Sequence, residues 1–386
     1  MNDTWWIKEE QLDEDQKVFA GLGPTGNHLI TGPPGCGKTN LLLLRAKYMY
    51  RAGQTNILVI VFTKTLQEFI QHGSNAYGLP GGVVLTLGKW QRDFLRENGV
   101  KFKPTGSFEE QREQLADEIA KLIAAKKMGK TFDAIFLDEA QDYLPAEIEA
   151  FGKLGKTLTA AADIHQKIYD VECMEEIRKI IKQEHPMRYH YRLGRKICIL
   201  ADGMKKNSAE YQPLLPTCNY NEPARPSSVE LIPCQTFAEQ TAKIIEKVRV
   251  QLKAYPDELL GILCPKNEEL DRVWDAISKT DLAPLCMKQG GGDHSAFDDT
   301  KTIHVGNIHS AKGVEFRTVH LAYAESLKDF SYGRNIAFTA VTRAKTSLSI
   351  YHIGPIPGYL RQAFTELQPL PKLPTVKDLF GNEGMK

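Results

Sequence analysis

Along this chain, short unbroken apolar runs alternate with stretches whose apolar residues recur every three or four positions. The runs are Leu29-Ile30-Thr31, Asn56 to Phe62, Val83 to Leu87, Phe132 to Leu137 and Thr157 to Asp163. Rich in β-branched residues and bounded by polar turns, they read as strands buried on both faces of a parallel sheet. Between them, Asn40 to Leu44 opens a helix, Glu109 to Lys127 places Leu115, Ile119, Leu122 and Ile123 on one helical face, and Met174 to Ile181 forms another. The second half repeats the style. Strands are read at 230–232, 260–264, 302–305, 318–322 and 348–351, and helices at 237–252, 270–277 and 334–342. Alternation of this kind predicts an α/β fold.

The break after Leu29-Ile30-Thr31 carries the first chemistry. Gly32-Pro33-Pro34-Gly35-Cys36-Gly37-Lys38-Thr39 completes the pattern G-x-x-x-x-G-K-[ST] between a strand and a helix. Such a loop turns successive backbone N–H groups inward to make a nest for phosphate oxygens, and the helix that follows adds the positive end of its dipole. Lys38 would reach the β- and γ-phosphates, and Thr39 would hold Mg²⁺. Cys36 is read as a small filler in the loop.

A second site candidate ends the run at Leu137. Asp138 and Glu139 follow it directly, with Ala140, Gln141 and Asp142. Downstream of a phosphate loop, Asp138 would hold Mg²⁺ and Glu139 would orient and deprotonate an attacking water. Acidic residues also collect at helix N-termini for electrostatic reasons alone. Upstream, Asp13 and Gln16 have the spacing of a capping box, the reading the two residues favour by themselves.

At 386 residues the chain is long enough for two domains. The expected division is 1–182, with a short insertion at about 92–130, then 183–353, then a proline-rich, loosely attached tail at 354–386. The net charge of +1 provides no global basic field, so any nucleic-acid contact must come from a local groove. No apolar run approaches the ~20 residues of a membrane span, and Met1 to Trp6 does not read as a signal peptide. The seven cysteines form no C-x-x-C pair, which argues against zinc and for a reducing cytoplasm.

Taken in order, the motifs resemble those of superfamily 1 helicases of the UvrD/Rep/PcrA type. Leu12–Gln16 is similar to the adenine-reading Q motif, Gly32–Thr39 to Walker A, Val61–Leu66 to motif Ia, and Asp138–Gln141 to a D-E-A-Q Walker B. Asp163-x-x-Gln166-x-Ile168-Tyr169, Tyr191-Arg192, His309–Phe316 and Ala340–Ala344 resemble the remaining blocks, and the resemblance spans about residues 12–350. It implies two RecA-like P-loop NTPase domains with parallel sheets and ATP in the cleft between them. Gln16 would read adenine, which reverses the plain capping reading, and Tyr191 would stack on the base. Gln166 would sense the γ-phosphate, while Arg192 and Arg343 would reach it from the second domain. Glu315 would contact ribose, or alternatively pair with Lys312. Thr63, Lys64, Trp90 and His309 are candidate strand contacts, although Trp90 is equally read as core. Val171 departs from the family pattern by removing a base-stacking aromatic, and neither insertion window is long enough for a large accessory subdomain.

The resemblance implies an ATP- and Mg²⁺-dependent helicase or translocase on single-stranded DNA, or on duplex with a single-stranded tail, running 3′→5′. One rival is a regulatory DNA-responsive ATPase serving a nuclease or effector partner, for example in phage defence. Another is an RNA-directed helicase of the same superfamily.

Overall fold

The computed structural model describes residues 9–163, 173–206, 211–291, 298 and 300–367, with the side chains of 72–77 excepted. Two six-stranded sheets organise them. The first contains β1 (His28–Thr31), β2 (Ile57–Val61), β3 (Val84–Thr86), β4 (Phe132–Leu137), β5 (Gly155–Ala162) and β6 (Gln183–Pro186), in the spatial order β3-β2-β4-β5-β1-β6. The second contains β7 (Ser228–Pro233), β8 (Leu260–Cys264), β9 (Cys286–Gln289), β10 (Ile303–Asn307), β11 (Phe316–Leu321) and β12 (Ala344–His352), in the order β7-β12-β11-β8-β10-β9. Every pairing between these strands is parallel. The two-unit parallel α/β fold expected from the sequence is therefore the fold observed.

Helices cover both faces of each sheet. The first unit has α1 (Glu14–Ala20), α2 (Lys38–Arg51), α3 (Lys64–Tyr77), α4 (Leu87–Glu97), α5 (Phe108–Ala125), α6 (Pro145–Leu154) and α7 (Met174–Ile180). The second has α8 (Arg195–Lys205), α9 (Phe237–Ala254), α10 (Asn267–Ile277), α11 (Gly333–Val341) and α12 (Gly358–Glu366). Strand pleating divides the first core. Ile57, Val59 and Val61 of β2 face Leu41, Leu42 and Phe69, whereas Leu58 and Ile60 face Leu87, Phe94 and Ile119 on the other side. All five β2 residues are buried, which is why the run is apolar without alternation.

Three expectations change. The boundary expected at 182 falls ahead of β6, which pairs with β1 and so belongs to the first sheet. The second of the two short insertion windows, around Ala283 to Thr300, where no strand is read from the sequence, contains β9, whose four residues are all buried and pair with β10. The proline-rich tail begins with α12, where Leu360 and Ala363 are fully buried and the backbone packs closely on α8. A Cβ on Gly203 would stand 2.9 Å from the Ala363 Cα. Residues 368–386 of that tail lie outside the described residues.

Candidate functional site

The phosphate loop joins β1 to α2 at the carboxyl end of the sheet, where open parallel sheets place their ligands. Gly35 and Gly37 adopt φ of +80° and +86°, in the left-handed region that favours glycine, so the loop can present its N–H groups inward. Lys38 Nζ donates to the carbonyls of Gly32 at 2.7 Å and Pro33 at 2.9 Å, and lies 3.4 Å from Asp163 Oδ2. Burial works against this ammonium, but Cys36, Asp163 and Glu139 more than reverse that and raise its pKa. Asp163 begins the Asp163-x-x-Gln166 block, and its ion pair with Lys38 joins residues 125 positions apart, a pairing that motif spacing does not reveal.

Asp138 leaves the end of β4 and accepts from Thr39 Oγ1 at 3.1 and 3.2 Å. Burial, with the charge of Glu139 next to it, pushes the Asp138 carboxyl up to about 7. An oxygen-rich pair holding a carboxylate so short of positive charge fits a divalent cation. Glu139 itself adopts a left-handed conformation, with φ of +49°. Burial would raise its pKa, but Lys312 and Arg343 outweigh burial and hold it low. Gln141 Nε2 donates to Glu139 Oε2 at 2.6 Å, and Lys312 Nζ lies 3.6 Å from the same oxygen.

Lys312 belongs to the second unit and is also paired with the buried Asp142 of the first. Glu315 does not pair with Lys312. It pairs instead with Arg192 and lies 3.7 Å from Lys345. Arg192 Nη2 donates to the Thr342 carbonyl at 3.0 Å, and its side chain covers Gly35 so closely that a Cβ there would sit 2.8 Å from the Arg192 Cβ. Burial, reinforced by the neighbouring Arg192 charge, lowers the Arg343 pKa to about 10.

These residues frame one cleft between the two units. A cavity of about 50 Å³ is lined by Pro34, Gly35, Lys38, Thr39, Glu139, Arg192, Glu315 and Arg343. A second, of about 210 Å³, shares Gly35, Gly37, Asn40, Arg192 and Glu315 with it and extends to Gln16 and Tyr191. At that end Gln16 closes the capping box and also reaches the phosphate loop. Its Oε1 accepts from Asp13 N at 3.0 Å to close the capping box, while its buried Nε2 donates to the Cys36 carbonyl at 2.9 Å. Tyr191 is part-exposed and donates to Asp13 Oδ2 at 2.6 Å. Asn40, Arg317 and Lys345 line the same space and were missed by sequence reading, although Lys345 stands only two places after Arg343. Gln166 and Val171 lie outside the described residues.

The four strand-contact candidates divide. Lys64 is exposed apart from an ion pair with Glu68 at 3.4 Å. It lines a cavity of about 640 Å³ with Phe62, Lys89, Arg92, Arg96 and Phe108. Thr63 is occupied. Its hydroxyl donates to the Lys312 carbonyl at 3.2 Å and caps α3 by accepting from Leu66 N. His309 is partly exposed, and its pKa is lowered by burial and by Lys312. Trp90 is not placed for a base. Only 4% exposed, it stacks on Phe94 and packs against Phe151 in the core, because its position on α4 faces inward.

The fold and cleft together are those of a two-unit P-loop architecture. Residues 302–351, which contain His309, Lys312, Glu315 and Arg343, match the family model described as the UvrD-like helicase C-terminal domain, bearing out the motif resemblance over that stretch. No curated protein matches the chain by sequence. Among solved structures, the chain is similar to the C-terminal domain of a possible DNA helicase from Lactobacillus plantarum. The identity is 16% and the TM-score 0.33, covering 46% of this chain and 96% of that one. It is also similar to PRRSV helicase, at 16% identity and a TM-score of 0.40, covering 87% of this chain and 54% of that one. A third is the arterivirus nonstructural protein 10 helicase in complex with DNA, at 16% identity and a TM-score of 0.41, covering 91% and 65%. Among the described residues, no helix is long and apolar enough to cross a membrane.

Proposed function

We propose that this protein hydrolyses ATP in the cleft between its two units and uses the cycle to move along single-stranded DNA in the 3′→5′ direction. One observation carries the reading. Lys38, Thr39 and Glu139 from the first unit line the same cavity as Arg192, Glu315 and Arg343 from the second. A triphosphate there would be gripped from both sides. Bound at Thr39 and Asp138, Mg²⁺ would neutralise charge on the phosphate oxygens. Glu139, held charged, is suited to accept a proton from the attacking water, and Arg192 and Arg343 to neutralise charge developing on the γ-phosphate. Loss of that phosphate removes the group that holds the units together, so occupancy biases an open–closed equilibrium. The groove beside Lys64 supplies cations and the exposed ring of Phe108, the chemistry a single strand requires.

The test is the ATPase rate at low salt with and without single-stranded DNA. Stimulation is expected. Lys38→Ala and Glu139→Gln should both lose hydrolysis, and Glu139→Gln should still bind ATP. Unwinding of 3′-tailed over 5′-tailed duplexes would support the direction, and a rate indifferent to DNA would overturn the reading. A second reading is a DNA-responsive ATPase subunit acting with a nuclease or effector partner. It is favoured by the segment between α10 and β10, where the described residues contain only a short 3₁₀ turn and β9. Stimulated hydrolysis without strand separation would select it.

A further inference from the structure

We propose that Cys198 and Cys218 are a redox-responsive thiol pair, which peroxide joins into a disulfide beneath the Tyr191–Arg192 segment of the cleft. Of the seven cysteines, Cys218 is the only one that is not buried. Its Sγ, the Sγ of the fully buried Cys198 and a ring nitrogen of His190 all lie within 4.8 Å of one another. Both thiols face one acceptor. Cys218 Sγ lies 3.2 Å from the Leu193 carbonyl, and Cys198 Sγ lies 3.6 Å from it.

The surroundings favour thiol chemistry over a metal. The ring nitrogen facing the thiols is His190 Nε2, 3.9 Å from Cys198 Sγ; it also sits 2.9 Å from the Leu214 carbonyl, which can only accept, so this nitrogen carries the proton and offers a metal between the sulfurs no lone pair. Burial lowers the His190 pKa to about 4, leaving the ring neutral. The Cys198 thiol beside it is the main influence lowering the Cys218 pKa, against the effect of burial. The more accessible sulfur is thus also the better nucleophile.

The chemistry balances with a peroxide as oxidant. The Cys218 thiolate attacks one peroxide oxygen; an S–O bond forms, the O–O bond breaks, and the departing hydroxide takes a proton to leave as water. The Cys198 sulfur then attacks the sulfenic sulfur of Cys218. An S–S bond forms, the S–O bond breaks, and the hydroxyl leaves as a second water with the Cys198 proton. Two thiols and one hydrogen peroxide become one disulfide and two waters, with two electrons passing to the peroxide.

The position of the pair gives this step a consequence. Cys198 lies on α8, and Cys218 bridges His190 through the backbone. Beside both runs His190-Tyr191-Arg192-Leu193, whose Leu193 carbonyl faces the two sulfurs and whose Tyr191 and Arg192 line the cavity of about 210 Å³. A disulfide of about 2.05 Å would draw the two segments together and take both sulfurs from the Leu193 carbonyl. That would move the segment that places Arg192 over Gly35.

The experiment treats the full, reduced chain with stoichiometric hydrogen peroxide and reads intact mass, peptide linkage and ATPase rate. Expected are a loss of two hydrogens, a Cys198–Cys218 linked peptide, and a several-fold fall in hydrolysis that returns on reduction. Cys198→Ser should stop at a sulfenic acid on Cys218, trapped by dimedone. Cys218→Ser should leave Cys198 unreacted and hydrolysis insensitive to peroxide. Absence of the linkage, stoichiometric zinc on the isolated protein shielding both thiols, or, when the reduced protein hydrolyses ATP, a linkage that leaves that rate unchanged would overturn the proposal. Only the effect on rate rests on the proposed ATPase. If neither state hydrolyses ATP, that earlier reading fails, while the mass result still decides the thiol pair.

Discussion

Gly35 leaves no space for a methyl group: its φ is +80°, and a Cβ would stand 2.8 Å from the Arg192 side chain. Gly35→Ala is therefore expected to distort the loop and displace Arg192. ATP affinity measured by titration should fall while circular dichroism stays native. Arg343→Ala tests the opposite side of the cleft. Arginines that neutralise transferring phosphate contribute about 10³–10⁵ in rate, so single-turnover hydrolysis should collapse far more than ATP binding. A third expectation concerns acid. Burial pushes His320 down to about 3, and the ring sits 2.9 Å from the Tyr351 hydroxyl and 2.7 Å from Gln251 Oε1. The unfolded chain binds the proton more readily, so stability rises with pH across the interval between about 3 and the ordinary histidine value. Chemical denaturation should show stability falling as the pH drops through that window, and His320→Gln should flatten the dependence. At this scale the sequence revealed residue types better than their partners. Asp138 and Thr39 could be paired from their motifs, whereas Lys312 reaching Asp142 and Glu139 depends on two units meeting.

Helices and strands with a strong apolar pattern were legible because burial dictated their composition. The buried residues of α5 include Leu115, Ile119, Leu122 and Ile123, the positions its periodicity marked. The two missed strands are at sheet edges, where backbone pairing demands little of the side chains. Gln183-Glu184-His185-Pro186 has no apolar alternation, and Cys286-Met287-Lys288-Gln289 hides a lysine that pairs with Asp271 at 2.8 Å. α12 was obscured by the prolines around it. Because Leu360 is fully buried against α8, Leu360→Ala should destabilise the chain by roughly 2–5 kcal/mol in denaturant titrations. At the other end of the chain, Asp13 caps α1 and also accepts the Tyr191 hydroxyl. Asp13→Ala should cost about 1 kcal/mol in stability and loosen the Gln16–Tyr191 end of the cleft.

For the whole molecule, the near-neutral charge means that the strand binding proposed above would depend on a local groove. The groove beside α4 offers Lys64, Lys89, Arg92 and Arg96. If these contact phosphates, the logarithm of single-strand affinity should fall against the logarithm of salt with a slope of about −3. A flat dependence would place the strand elsewhere. Among the described residues, the chain also passes once from the first sheet to the second. Met187 N is fixed to the Thr31 carbonyl in the first unit, and His190 N to the Thr217 carbonyl beside the second. Four residues of fully extended backbone span at most about 14 Å. That tether bounds how far the lobes could part, so on the proposed cycle the molecule would stay within one swing of its next closure after product release and would need no diffusional search to find it.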